Sequence, residues 1–126
     1  TSIVGKIGTP LRSSYAASKH ALHGFFDSLR AEVYQNNIKV TLACPGFVQT
    51  NVSLNALTGD GTPQNKMNSA TENGLTGEAF SKKLLKAVKK EKQGVYIGGF
   101  KEKLGVYTKR FLPKLFSIMI RKIVVT

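Results

Sequence analysis

The stretch Ser13-Ser14-Tyr15-Ala16-Ala17-Ser18-Lys19-His20-Ala21-Leu22 opens a segment running to Asn37, and Ile38-Lys39-Val40-Thr41-Leu42-Ala43-Cys44-Pro45-Gly46 follows it. Within the first part, Leu22, Phe25, Phe26, Leu29 and Val33 recur at the i, i+3, i+4, i+7 spacing of one buried helix face. We therefore expect a helix over residues 14–36. Ser13 or Ser14 should cap it, because a short hydroxyl accepts from the first unpaired N–H groups. Asn36-Asn37 should end it, since asparagine tolerates the left-handed backbone at a helix C-terminus. Residues 38–44 are rich in β-formers, and their early alternation gives way to an apolar run. That pattern fits a parallel strand buried on both faces. Pro45-Gly46 closes the strand.

Upstream, Thr1-Ser2-Ile3-Val4-Gly5 reads as the end of a strand running into a loop. Downstream, residues 51–76 hold few apolar anchors and many Asn, Thr and Gly, so a long loop with at most one short helix is expected. A second helix should cover residues 77–92 with Ala79, Phe80, Leu84, Leu85 and Val88 facing inward. Val95-Tyr96-Ile97 makes another short strand between Gly94 and Gly98-Gly99. Strands alternating with helices predict an α/β fold built on a parallel sheet. Residues 101–126 mix bulky apolar side chains with Lys and Arg, and Pro113 should interrupt any helix there. The expected organisation is one α/β domain over 1–100 and a basic amphipathic extension over 101–126.

The 126 residues are 41% hydrophobic and 21% charged, an ordinary globular balance. The net charge of +12 is uneven: residues 77–126 hold thirteen Lys/Arg against three Asp/Glu, a balance of +10. A solvated surface is the plain explanation of that charge, and an acidic membrane surface or a nucleic acid the sharper ones. Cys44 is the single cysteine, so no internal disulfide forms, which fits a reducing cytosol. His20 and His23 share a helix face at a metal-like spacing, but no third ligand lies nearby in the sequence. We expect a solvated pair and no metal.

Tyr15 and Lys19 stand one helical turn apart on the same face. With four Tyr and 15 Lys in the chain, such a pair arises by accident about as often as not. Its surroundings are more specific. Ser2 lies 13 residues before Tyr15, and Pro45-Gly46 is followed by Phe47-Val48-Gln49-Thr50. The order and distances of Ser, Tyr-x-x-x-Lys and Pro-Gly resemble the short-chain dehydrogenase/reductase family. Ser14-Tyr15-Ala16-Ala17-Ser18-Lys19-His20-Ala21-Leu22 and Leu29-Arg30-Ala31-Glu32 are similar to it as well. The resemblance spans residues 1 to about 100.

That resemblance implies a Rossmann-type doubly wound parallel sheet and an NAD- or NADP-dependent oxidoreductase interconverting a secondary alcohol and a ketone. It implies that Tyr15 is the general acid or base, that Ser2 hydrogen-bonds the substrate oxygen, and that Lys19 contacts the nicotinamide ribose. It also implies that the backbone around Pro45, Gly46 and Val48 meets the nicotinamide amide and that the Thr50 hydroxyl meets the cofactor. The electrostatics agree. A phenol is a poor base at neutral pH, and an ammonium about 6 Å away favours the phenolate by about 3 kcal/mol at an effective dielectric of about 20.

The family's glycine-rich cofactor loop, its Asn-Asn-Ala-Gly segment and the Asn of the catalytic tetrad are missing from this sequence. All of them precede the catalytic Ser in the family. We therefore expect a C-terminal piece lacking the N-terminal cofactor-binding half, inactive by itself. Gly5 and Gly8 are expected to shape the loop on the substrate side; they do not read as a phosphate cradle. Partners expected from the resemblance are a small carbonyl or alcohol substrate and a second copy of the chain packed on the helix at 14–36. For the tail, three roles compete: a pocket cover or subunit contact, an anchor on a membrane surface serving a lipophilic substrate, and a nucleic-acid patch. The last is set aside because no base-stacking aromatics interleave with the basic residues. A cytoplasmic protein is the expected setting, with contact to a membrane surface as the alternative carried by the tail. The reading from a different class is a non-catalytic α/β binding or scaffold module with a basic membrane-surface tail.

Overall fold

The computed structural model describes residues 1–123. Residues 124–126, which end the expected basic extension, lie outside the described residues. Helix α1 spans Ser13–Glu32, and a 3-10 turn, Tyr34–Asn36, follows it. Strand β1 (Leu42–Pro45) comes next, then a long excursion holding the four-residue helix α2 (Ser69–Glu72). Helix α3 (Gly77–Lys89), strand β2 (Gly94–Ile97), and helices α4 (Phe100–Phe111) and α5 (Pro113–Ile120) complete the order.

The two strands pair in parallel with Leu42 opposite Gly94 and Pro45 opposite Ile97. Helix α3 is the crossover between them, as a parallel pair requires. This is the α/β arrangement of a Rossmann-type fold. Along β1, Leu42 and Cys44 are buried while Ala43 and Pro45 are less so. The Leu42 and Gly46 N–H groups donate to the Gln93 and Ile97 carbonyls of the β2 side. Strand alternation then points the Ala43 carbonyl to the other edge, where it accepts from the Thr1 nitrogen at 3.1 Å. Thr1 therefore lies along the edge of β1 opposite β2.

The first residues differ from expectation just after that point. Ser2 is extended, but Ile3–Gly5 winds into a 3-10 turn capped by the Ser2 hydroxyl, which accepts from the Val4 N–H at 3.2 Å. Helix α1 also starts differently. Arg12 occupies the cap position without a side-chain cap, and Ser13 and Ser14 already lie inside the first turn. At the other end the α-helix stops at Glu32, and the left-handed residue is Asn37, closing the 3-10 turn.

Two inward faces keep most of their expected residues half-buried but lose one or two to solvent. In α1, Phe25 is 62% exposed, while Ala16 and His23 are buried. In α3, Leu85 is 68% exposed and Val88 is exposed too, and the buried residue is Ala87, in line with the half-buried Phe80 and Leu84. Both alternatives obey helical spacing, so spacing alone cannot choose between them. Loop 51–76 contains the expected short helix. It also has a reversal in which Thr58 and Thr62 bond Asp60, holding its carboxyl at about 2. Pro113 breaks the tail helix as expected and becomes the first residue of α5, where a missing N–H costs nothing. The core cluster joins Ile3, Ile7 and Cys44 to Val106 of α4 and Phe116 of α5. The C-terminal helices thus pack on the same core as the strands.

Candidate active site

Tyr15 sits in the first turn of α1 and is 42% exposed. The i+4 spacing brings Lys19 onto the same face, with its Nζ 5.3 Å from the centre of the Tyr15 ring. An ammonium over a phenol ring is favourable in itself. The Ser18 hydroxyl donates to the Tyr15 carbonyl at 2.8 Å, so it bonds backbone within the same turn.

Ser2 reaches this helix through its neighbours. The Thr1 hydroxyl donates to the Lys19 carbonyl at 3.1 Å, and the Thr1 nitrogen holds β1. Gly5 packs so closely that an added Cβ would stand 2.8 Å from the Lys19 carbonyl oxygen. On the other side, Ile3 reaches toward Gly98, which stands against Gly46: a Cβ on Gly98 would be 3.1 Å from Ile3 Cδ1 and 3.2 Å from Gly46 Cα. The segment bearing Ser2, the turn bearing Tyr15 and Lys19, and the Pro45-Gly46 end of β1 therefore meet at the carboxyl end of the sheet. Open α/β sheets bind their ligands at that end.

Beyond Gly46 the chain is pinned by backbone pairing. The Gln49 N–H donates to the Leu75 carbonyl at 2.8 Å, and the Leu75 N–H donates to the Phe47 carbonyl at 3.0 Å. These bonds form a parallel bridge between Val48 and Leu75. In such a bridge Val48's own N–H and C=O point away from Leu75. One donor and one acceptor facing together match the demands of a carboxamide. The Gln49 amide closes the neck further, donating to the Glu72 and Gly74 carbonyls. Thr50 follows, exposed at the start of the excursion; Val48 and Thr50 are anchored to this neck and not to the Tyr15–Lys19 turn.

His23 departs most from expectation. It is 7% exposed, and its Nε2 lies 3.6 Å from Cys44 Sγ, itself 1% exposed. Burial, then the nearby Lys6 charge, lowers the His23 pKa, and burial pushes the Cys44 thiol up. Both groups are therefore neutral near pH 7. His23 Nδ1 is buried with no hydrogen-bond partner among the described residues. His23, Asp27, Arg30 and Tyr96 help line a cavity of about 200 Å³. That cavity lies between α1 and the sheet, away from Tyr15. His20 instead bonds the Ala16 carbonyl at 2.8 Å. The two histidines thus have different surroundings, and His23 is not solvated. Sequence spacing carried no signal for this, nor for the close approach at Thr1 and Gly5, which arises only when separate elements pack.

The sequence model described as short chain dehydrogenase matches residues 1–60. Residues 1–60 are thus similar to the short-chain dehydrogenase/reductase family, and curated relatives extend that similarity along most of the chain. Among curated relatives, the protein named Dehydrogenase/reductase SDR family member 7B of Xenopus laevis is 44% identical over 120 residues, 94% of this chain and 37% of that protein. Its namesake in Bos taurus is 45% identical over 116 residues, 92% of this chain and 36% of that protein. Dehydrogenase/reductase SDR family protein 7-like of Drosophila melanogaster is 36% identical over 122 residues, 97% of this chain and 37% of that protein. The chain thus spans a little over a third of the length of these relatives.

Proposed function

We propose that this chain carries the proton-transfer site of an NAD- or NADP-dependent oxidoreductase that interconverts a secondary alcohol and a ketone. The observation that carries the reading is the convergence of Ser2, the Tyr15–Lys19 turn and the Pro45-Gly46 strand end at one edge of the sheet. In reduction, the Tyr15 hydroxyl gives its proton to the carbonyl oxygen as the carbonyl carbon gains a hydride. In oxidation, the Tyr15 phenolate takes the proton back as the carbon loses the hydride. The nicotinamide supplies or takes up that hydride when bound. Lys19 stabilises the phenolate through its charge and faces the ribose hydroxyls. The Ser2 hydroxyl orients the substrate oxygen. Pro45 and Gly46 shape the strand end, Val48 offers its backbone pair to the carboxamide, and Thr50 offers a hydroxyl at the neck.

Two partners follow from exposed surface. The bared Phe25 on α1 supports packing against a second copy of the chain; a monomeric full-length protein in sedimentation velocity would remove that contact. Phe111, Leu112, Leu115 and Ile118 are exposed among Lys109, Arg110 and Lys114, which supports rest on a membrane surface in the cytoplasm and a lipophilic substrate. No helix among the described residues is long and apolar enough to cross a membrane. The test of the reaction itself is turnover by the full-length protein with NADH and NADPH over ketones, and with NAD and NADP over alcohols. Turnover that depends on one cofactor pair is expected. No turnover in any combination would overturn the proposal.

A further inference from the structure

Two small residues hold the catalytic segments together. Thr1 is bonded at once to both elements that frame the site. Its hydroxyl donates to the Lys19 carbonyl at 3.1 Å and its backbone nitrogen to the Ala43 carbonyl of β1 at 3.1 Å. Four residues on, Gly5 faces the same spot. A Cβ there would stand 2.7 Å from Thr1 Oγ1, 2.8 Å from the Lys19 carbonyl oxygen and 3.0 Å from His23 Cδ2. Real Cβ atoms do not approach that closely, and the Lys19 oxygen is helix backbone that cannot swing aside. Gly8, three residues further on, has nothing within 4 Å of the same construction. The close approach is therefore local to Gly5, and Ser2 lies between the two contact residues.

We propose that Thr1 and Gly5 are positioning residues for the reaction. They fix the height of the Lys19 turn against the Ser2 segment, so that an oxygen held by Ser2 meets Tyr15 with the Lys19 charge already in place. The proposal rests on the oxidoreductase reading above. Neither residue needs to touch substrate or cofactor. A displacement of about 1 Å between reacting groups is enough to cost on the order of 100-fold in rate. Adding one methyl at Gly5 forces a shift of that order, because the two shortest approaches fall well inside ordinary contact. Removing the Thr1 hydroxyl loosens the same junction without overpacking it.

The test uses the full-length protein carrying Gly5→Ala, Thr1→Val, Thr1→Ser and, as the open-space control remote from the site, Gly77→Ala. The readouts are kcat, substrate KM and the thermal midpoint. We expect Gly5→Ala to lower kcat on the order of 100-fold and Thr1→Val about tenfold, with substrate KM changed by less than about threefold. Thr1→Ser should restore kcat, and Gly77→Ala should leave kcat and KM unchanged. Wild-type kcat in Gly5→Ala and Thr1→Val, with only the thermal midpoint lowered, would overturn the proposal. So would Thr1→Ser behaving like Thr1→Val. If Gly5→Ala does not fold, the two Thr1 variants decide alone. Tyr15→Phe is assayed alongside: full turnover there removes the oxidoreductase reading, whereas an inactive Tyr15→Phe beside unaffected Thr1 and Gly5 variants removes only the positioning role.

Discussion

At the scale of single residues, His23 and Cys44 form the most constrained polar pair in the core. A neutral imidazole has one donor and one acceptor nitrogen. With Nε2 engaged by the thiol, Nδ1 is left buried and unmatched. Burial, followed by the Lys6 charge, lowers the His23 pKa below its ordinary value of 6.5. The unfolded chain then binds a proton that the folded chain refuses. Stability is complete above about pH 6.5 and is lost as pH falls from there through the folded-state value. We predict that acid unfolding of wild-type protein begins below that point, and that His23→Gln flattens this part of the curve. Identical curves in the two proteins would show that His23 is not the group responsible. Sequence reading missed this pair because a histidine on a helix gives no sign of which face the sheet will cover.

At the scale of elements, Arg30 ties α1 to the sheet. Its Nε donates to the Val40 carbonyl at 3.2 Å, its Nη2 to the Gln93 carbonyl at 3.1 Å, and its Nη1 to Asp27 at 2.6 Å. The two carbonyls precede β1 and β2, so one guanidinium fixes the helix against both strand starts. We predict that Arg30→Ala costs about 2–3 kcal/mol in denaturant unfolding, the range for hydrogen bonds to charged groups. Arg30→Lys should recover less than half, because an ammonium cannot reproduce the planar fork. Asp27 is mostly exposed, so Asp27→Asn should cost less than about 1 kcal/mol. Equal losses for Arg30→Ala and Asp27→Asn would place the stabilisation in the ion pair and contradict this account. Elements were well legible where local chemistry decides them: the break at Pro113, the sparse excursion before Gly77, and the end of the strand near Pro45-Gly46, although that strand begins only at Leu42 and not at Ile38. They were poorly legible where apolar residues wrap around a helix. Phe25, Leu85 and Val88 sit at acceptable spacing and yet face out, because only the position of the sheet selects the buried line.

At the scale of the whole molecule, charge and apolar exposure coincide at the C-terminal end. The excess of positive charge in residues 77–126 was visible in the sequence, and so was the apolar run around Pro113. Their division of labour was not. Val106 and Phe116 turn into the core cluster, while Phe111, Leu112 and Ile118 stay exposed beside cations. We predict that full-length protein sediments with vesicles containing anionic lipid at low salt and is released as salt rises, each Lys or Arg near the surface contributing about 1 kcal/mol. A double charge reversal at the exposed Arg110 and Lys114 should weaken that binding, and equal binding to neutral vesicles would argue against an electrostatic contact. The family motifs were legible because they are local signatures in a fixed order. Their junction through Thr1 and Gly5 was not, because it joins residues far apart in sequence, to within one methyl group.

The central claim is that Tyr15 moves the proton. The most direct measurement compares wild-type and Tyr15→Phe full-length protein, recording kcat on the preferred ketone together with cofactor binding by nicotinamide fluorescence. Loss of one hydroxyl should lower kcat on the order of 100- to 10,000-fold, the typical contribution of a general acid, with cofactor affinity and fold preserved. Turnover in Tyr15→Phe equal to that of the wild type would contradict the account.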